Sequence, residues 1–292
     1  MSTAHAIAST RDRVGECPVW SVAEQALYWV DIEGRQIRRW TATTEQVQSW
    51  TLPERVGCIA LAAAGGVVAA METGIYAVQL DKAEPSLRCL ASISHPAPGM
   101  RFNDGRCDTQ GRFWVSTMVM DMGLASPLGA IYCLDGKGLS TARMDGFITP
   151  NGMAFSADGR TGYVSDSHPS VQKIWRFALD ADGMPGPREL FVDMQPLPGR
   201  PDGAALDVEG HYLICANDAG LVHRFDPQGR LVASLEVPVA KPSMCAFGGP
   251  DLDVLYVASI QPGNVDPANP GLNGAVFALK PGVRGLPEPL FV

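Results

Sequence analysis

The sequence has little that repeats every three to four residues. No window of ten or more residues carries a clean apolar stripe at helical period, so a helical bundle or a doubly wound α/β fold is not expected. Positive charge is also scarce: 23 Lys and Arg stand against 31 Asp and Glu, a net −8, which argues against nucleic acid or an anionic membrane as partner. The longest apolar run, residues 58–71, is broken by Gly65 and Gly66 and is too short to span a bilayer. The first ten residues lack the basic stretch and long apolar segment of a secretory leader, and a cytoplasmic protein is expected. The seven cysteines (17, 58, 89, 107, 133, 215 and 245) are odd in number and contain no Cys-x-x-Cys. They read as small buried hydrophobes in a reducing compartment. Familiar catalytic signatures are missing too: there is no Gly-x-Ser-x-Gly elbow, no phosphate loop and no Gly-x-Gly-x-x-Gly. The five histidines (5, 95, 168, 211 and 223) show no ligand spacing.

What is present is a repeated unit of short strands. Aromatic or β-branched strands centred on Trp29, Val68, Trp114, Tyr163, Leu213 and Tyr256 are spaced by 39, 46, 49, 50 and 43 residues. Each follows a turn rich in Gly, Asp or Ala, each turn follows another apolar strand, and a third strand comes behind. A period of about 40–50 residues in short punctuated strands is the signature of four-stranded propeller blades. Six units predict an all-β, six-bladed β-propeller, four antiparallel strands per blade, forming one domain over residues 1–292. The fourth strands are weaker (QVQSW, LRCLA, STARM, RELFV, LVASLEV), as suits an exposed edge, and the last blade lacks one. Residues 4–9 or 290–292 would supply it and close the ring.

The repeat also locates a site. The residue that begins each innermost strand, some 11–13 positions before the anchor, is Glu16, Gly57, Asn103, Asn151, Asp202 or Ser243. Inner strands line the channel, so these six form a ring at one mouth. Asn-Gly and Asp-Gly are common turn residues. Four carboxylate or amide oxygens at one blade position, converging on one axis, point instead to a metal. The two longest loops, residues 119–129 and 261–274, lie on the same face. One Glu, one Asp and two Asn make a hard oxygen set that suits Ca²⁺, Mg²⁺ or Mn²⁺ better than a structural zinc. With two formal charges, water or substrate must complete the coordination, which is what a Lewis acid requires.

Five motifs in order carry a resemblance over nearly the whole chain: GECPVW (15–20), RFNDGRCDTQGRFWVSTM (101–118), TPNGMAFSADGRTGYVSDS (149–167), RPDGAALDVEG (200–210) and CAFGGPDLDVLYVAS (245–259). The chain resembles the regucalcin (senescence marker protein)/gluconolactonase family of sugar-lactone hydrolases, which are six-bladed propellers. The resemblance implies Glu16, Asn151 and Asp202 as ligands of one divalent cation (Ca, Mn, Mg, Zn or Fe), with Asp202 also the proton donor and acceptor. It implies Asn103 beside substrate or a metal-bound water, and Arg101 beside substrate hydroxyls or the ring oxygen. It puts Asp121 at the position of an acidic substrate contact, one methylene shorter than the family's glutamate. Arg101 has a plainer reading as an ion-pair partner of Asp104 or another carboxylate, and Asp104 and Asp166 read as turn or supporting residues. The expected activity is metal-dependent hydrolysis of an aldonolactone by a monomer or small homo-oligomer. Two alternatives stand beside it: a calcium- or ligand-binding propeller without turnover, and a phosphotriester or other ester hydrolase on the same scaffold.

Overall fold

Side-chain chemistry at the turns fixes where each blade folds back. In the computed structural model, which describes residues 3–263 and 271–292, Asp108 accepts the backbone N–H groups of Gln110 (2.9 Å) and Arg112 (3.1 Å) on one oxygen. Its other oxygen takes Arg112 Nε at 2.6 Å and Trp114 Nε1 at 2.8 Å. Asp207 and Asp226 cap their turns through the same pair of backbone amides. An Asp-x-x-Gly turn thus carries its own acceptor, and Gly111 takes the left-handed φ of +75° that the turn needs.

The chain forms six antiparallel sheets arranged as a six-bladed propeller, and these turns join strands within blades 3 and 5. The innermost strands are Gly15–Ser21, Val56–Leu61, Met100–Cys107, Pro150–Phe155, Arg200–Leu206 and Pro242–Gly248. The second strands are buried on both faces, as in Ala26–Asp31, Val67–Met71 and Tyr212–Asn217, because each lies between its own sheet and the next blade. The outer edges are mostly exposed, as in Gln46–Thr51. Aromatic pairs lock neighbouring blades: Trp20 of blade 1 stacks on Tyr256 of blade 6 at 5.3 Å, and Tyr163 of blade 4 on Tyr212 of blade 5 at 5.0 Å. Such pairs add roughly 0.5–1.5 kcal/mol beyond their buried area. The one helical element among the described residues is the 3-10 turn Met122–Leu124, and no helix there is long and apolar enough to cross a membrane.

The N-terminus closes the ring. His5–Ala8 pairs antiparallel with Val276–Leu279 as the outer strand of blade 6. The other candidate, residues 290–292, goes elsewhere: Phe291 forms a parallel bridge to Ala62 beneath blade 2. Blade 3 departs from expectation. Its outer edge is not STARM (140–144) but two pieces, Gly138–Leu139 before it and Met144–Phe147, which begins at its last residue. Ser140 Oγ accepts Cys133 N at 3.0 Å, so a side chain takes the place of a ladder partner there. Of the two long loops, residues 119–129 are described, whereas residues 264–270 of the second lie outside the described residues.

Candidate metal centre and active site

Six β-bulges build the ring. The pairing between first and second strands shifts register between Glu16 and Val19, Val56 and Cys58, Phe102 and Gly105, Asn151 and Ala154, Pro201 and Ala204, and Pro242 and Cys245. A bulge re-aims a side chain that regular pleating would leave elsewhere. Each shift falls at a ring position, so Glu16, Gly57, Asn103, Asn151, Asp202 and Ser243 occupy one structural location repeated six times. Blade 2 contributes no donor because it has no room for one: a Cβ on Gly57 would lie 2.3 Å from Phe102 O. Ser243 turns its hydroxyl to Gly15 O. A small crevice lined by Glu16, Cys17, Gly57, Asn103, Asp104 and Asn151 marks the convergence.

Hydrogen bonds tie four predicted residues together or fix their orientation. Arg101 Nη1 donates to Asn103 Oδ1 at 2.7 Å and to Phe102 O at 2.8 Å. Asn103 Nδ2 donates to Asn151 Oδ1 and to Pro150 O, both at 3.0 Å. Asn151 Nδ2 donates to Ser167 Oγ at 2.7 Å. Asp202 Oδ2 accepts Asn217 Nδ2 at 2.7 Å. Asn103 has therefore given both N–H groups to the protein, and what it can offer a ligand is its remaining Oδ1 lone pair. The expected Arg101–Asp104 ion pair is not made: among the described residues Arg101 has no carboxylate partner, and its buried Nε is without a hydrogen bond.

Electrostatics single out the carboxylates. Burial raises Glu16 well above its ordinary value, and the charges of Asp202 and Asp104 raise it further. Burial pushes Asp202 up to about 7, with Arg200 and the Asn217 hydrogen bond only partly offsetting it. Asp104 is raised by burial as well, although Met153 N (2.8 Å) and Gly105 N (2.8 Å) donate to it and Arg106 opposes the shift. Among the described residues neither Glu16 nor Asp202 has an ion-pair partner. Carboxylates raised chiefly by burial, beside amide oxygens and among the described residues without an ion-pair partner of their own, fit a divalent metal.

Other residues fall outside this ring. Asp121 is exposed on the 119–129 loop, where its Oδ1 caps the 3-10 turn by accepting Gly123 N at 3.0 Å. Among the described residues no hydrogen bond or ion pair joins it to the ring. Asp166 has the turn role expected of it, accepting the amides of Ile148, Thr149 and His168. Asp207, Glu209 and His211 bring three ligand atoms within 4.8 Å of one another at a blade 5 turn. That group surrounds a cation already: Arg224 reaches Asp207 at 2.6 Å, Glu209 at 2.7 Å and His211 at 3.1 Å. Residues that support the ring and escaped notice in the sequence are Ser167 and Asn217, at the outer ends of the second strands of blades 4 and 5. Their shared blade position was the available signal.

Comparison with known proteins agrees with the fold and the motifs. The chain belongs to the family described as SMP-30/Gluconolactonase/LRE-like region, whose profile matches residues 14–261. It is 38% identical over 281 residues to a 6-deoxy-6-sulfogluconolactonase of Pseudomonas putida, covering 95% of this chain and 94% of that protein. It is 32% identical over 291 residues to a pentonolactonase of Haloferax volcanii, covering 97% and 96%. Among solved structures, a calcium-binding protein, regucalcin, from Agrobacterium tumefaciens superposes with a TM-score of 0.90 at 29% identity, covering 100% of both chains.

Proposed function

We propose that the protein opens the ring of a sugar lactone at this channel mouth, with one divalent cation held by Glu16, Asn151 and Asp202. The enzyme class follows from the family: the chain is a lactonase. The observation that carries the metal is the burial of Glu16 and Asp202 beside the Asn103–Asn151 amides, where the charges of Asp202 and Asp104 act against the ionisation of Glu16 and that of Asp104 against Asp202. Hard oxygen donors favour Ca²⁺, Mg²⁺ or Mn²⁺. A cation in this ring supplies Lewis-acid polarisation of the lactone carbonyl. The side chains do the rest. Arg101, a buried guanidinium with an unpartnered Nε, orients the polyhydroxylated ring and favours developing negative charge. Asn103 holds Arg101 and Asn151 in register. As water forms its bond to the carbonyl carbon, the Asp202 carboxylate accepts its proton; as the ring C–O bond breaks, that proton passes to the departing oxygen. Asp121, on the loop beside the mouth, reads a sugar hydroxyl. The seven unpaired cysteines, six of them buried, support a reducing, cytoplasmic setting.

Acid release from glucono-, pentono- and 6-deoxy-6-sulfogluconolactone, before and after chelation, tests this reading. Activity should vanish on metal removal and return with Ca²⁺, Mg²⁺ or Mn²⁺, and Glu16→Gln and Asp202→Ala should lose bound metal while folding normally. Full turnover by metal-free protein removes the metal from the mechanism. Tight metal binding with no turnover of any lactone makes the protein a binding propeller.

A further inference from the structure

Two of the three proposed ligands lean on one brace that lies behind them. Asn217 closes the second strand of blade 5, is 1% exposed, and faces Arg200 across the ladder. Its Nδ2 donates to Asp202 Oδ2 at 2.7 Å, and its Oδ1 faces Arg200 Nη2 at 3.4 Å. The amide has one favourable orientation. Flipped, it would set oxygen against a carboxylate and NH₂ against a guanidinium. Arg200 is itself held at two further points: its Nη1 donates to Ser167 O at 3.0 Å and its Nε to Asp218 Oδ2 at 2.7 Å, and Lys241 bonds the other oxygen of Asp218. Ser167 completes the brace on the blade 4 side, since its Oγ accepts Asn151 Nδ2 at 2.7 Å and donates to Pro201 O.

We infer that Asn217, set by Arg200, is a positioning residue that gives the two oxygens of Asp202 different jobs. The N–H on Oδ2 fixes the rotation of the carboxylate, and among the described residues Oδ1 takes no hydrogen bond, which leaves it the freer oxygen for a ligand. Ser167 does the same for Asn151 by engaging its nitrogen, which turns Oδ1 inward. Neither Asn217 nor Arg200 has to touch the ion or the lactone. This inference rests on the metal reading above and deepens it. A side chain that acts by orienting a ligand typically changes metal affinity about 10–100-fold when removed, whereas one that only packs the strand changes stability and leaves affinity alone.

The test uses full-length, chelator-treated protein and calorimetric titration with Ca²⁺ and with Mn²⁺, alongside steady-state kinetics. Asn217→Leu keeps the bulk and deletes the donor; Arg200→Met removes the group that sets the amide. Asn217→Leu should weaken both ions at least about tenfold and lower kcat with KM within about threefold. Arg200→Met should move both quantities the same way by less. Ion affinity within twofold of wild type in a folded Asn217→Leu variant overturns the inference. Should that variant not fold, unchanged affinity in Arg200→Met overturns it and weakened affinity supports it. Wild-type protein that binds neither ion overturns the metal reading itself, and this inference with it.

Discussion

Three carboxylates that share a buried space make the metal-free protein sensitive to pH in a particular direction. Asp202 has a folded pKa of about 7, far above the value of about 3.9 for an unfolded aspartate, so folding favours its protonated form. The stability it supports is complete below the unfolded value and is lost as pH rises towards and through the folded one. Glu16 is raised too and acts with the same sign. Metal-free protein should therefore melt about 5 °C lower at pH 8 than at pH 5, and saturating Ca²⁺ or Mn²⁺ should abolish that drop. Scanning calorimetry at both values, with and without ion, measures it; a metal-free melting temperature that rises with pH contradicts the carboxylate assignment. Arg101→Ala should retain full metal content and lose about 10²-fold in kcat, read by kinetics and elemental analysis. Glu16, Asn103, Asn151 and Asp202 were legible in the sequence because the blade period places them at one position. Asn217 and Ser167 were not, because a polar residue ending a strand looks like any cap until its partner across the ladder is known. Asp104 was passed over because an Asp before Gly reads as a turn, while here it is buried between the inner strands of blades 3 and 4.

At the scale of the element, the 119–129 loop is the part most open to change. It holds itself with Asp121 as cap, and it is pinned to blade 4 where His168 Nε2 meets Met122 O at 3.2 Å. His168 Nδ1 accepts Ser170 N at 3.2 Å, so Nε2 carries the proton given to Met122. His168→Ala should free the loop and raise KM about 3–10-fold with kcat little changed. Asp121→Ala should alter relative kcat/KM between two epimeric lactones; an unchanged ratio removes Asp121 from substrate recognition. The strands of blades 3 and 5 could be read from turn chemistry, since Asp-x-x-Gly carries its own hydrogen-bond acceptor, and those of the other blades from the spacing of their apolar runs. The bulges could not, because a bulge is a mismatch between two strands and neither strand alone records it. The broken outer edge of blade 3 was hidden for a related reason: the competition between Ser140 Oγ and a backbone carbonyl for Cys133 N is settled by geometry.

For the whole molecule, closure is the decisive event. Removing residues 3–8 would strip blade 6 of its outer strand and leave Val276–Leu279 as an open edge. Such a variant should melt about 5–10 °C lower and associate at high concentration, as light scattering would show. We take residues 1–292 as one domain, and equilibrium unfolding in urea should then give coincident transitions by fluorescence and circular dichroism. The chain's other end is fastened differently. Residues 284–292 pass beneath the propeller, bonding Leu252 and Val208 through Gly285 and Arg284, pairing Glu288 with Arg106 at 3.1 Å, and bridging Leu61 and Ala63 through Phe291. This path has a consequence for biosynthesis. A ribosome adds about 5–20 residues per second, so His5 waits for its partner Ala278 for on the order of tens of seconds, and the ring cannot shut until residues 276–279 have been made. Blades 1 to 5 can assemble in the order they emerge, but the nascent propeller keeps a raw edge throughout. A chain rearranged to begin at blade 2 and end with blade 1 would bring residues 5–8 within a few tens of residues of 276–279 in sequence, so that the last blade could complete its sheet locally, and should gain soluble yield most where chaperones are limiting.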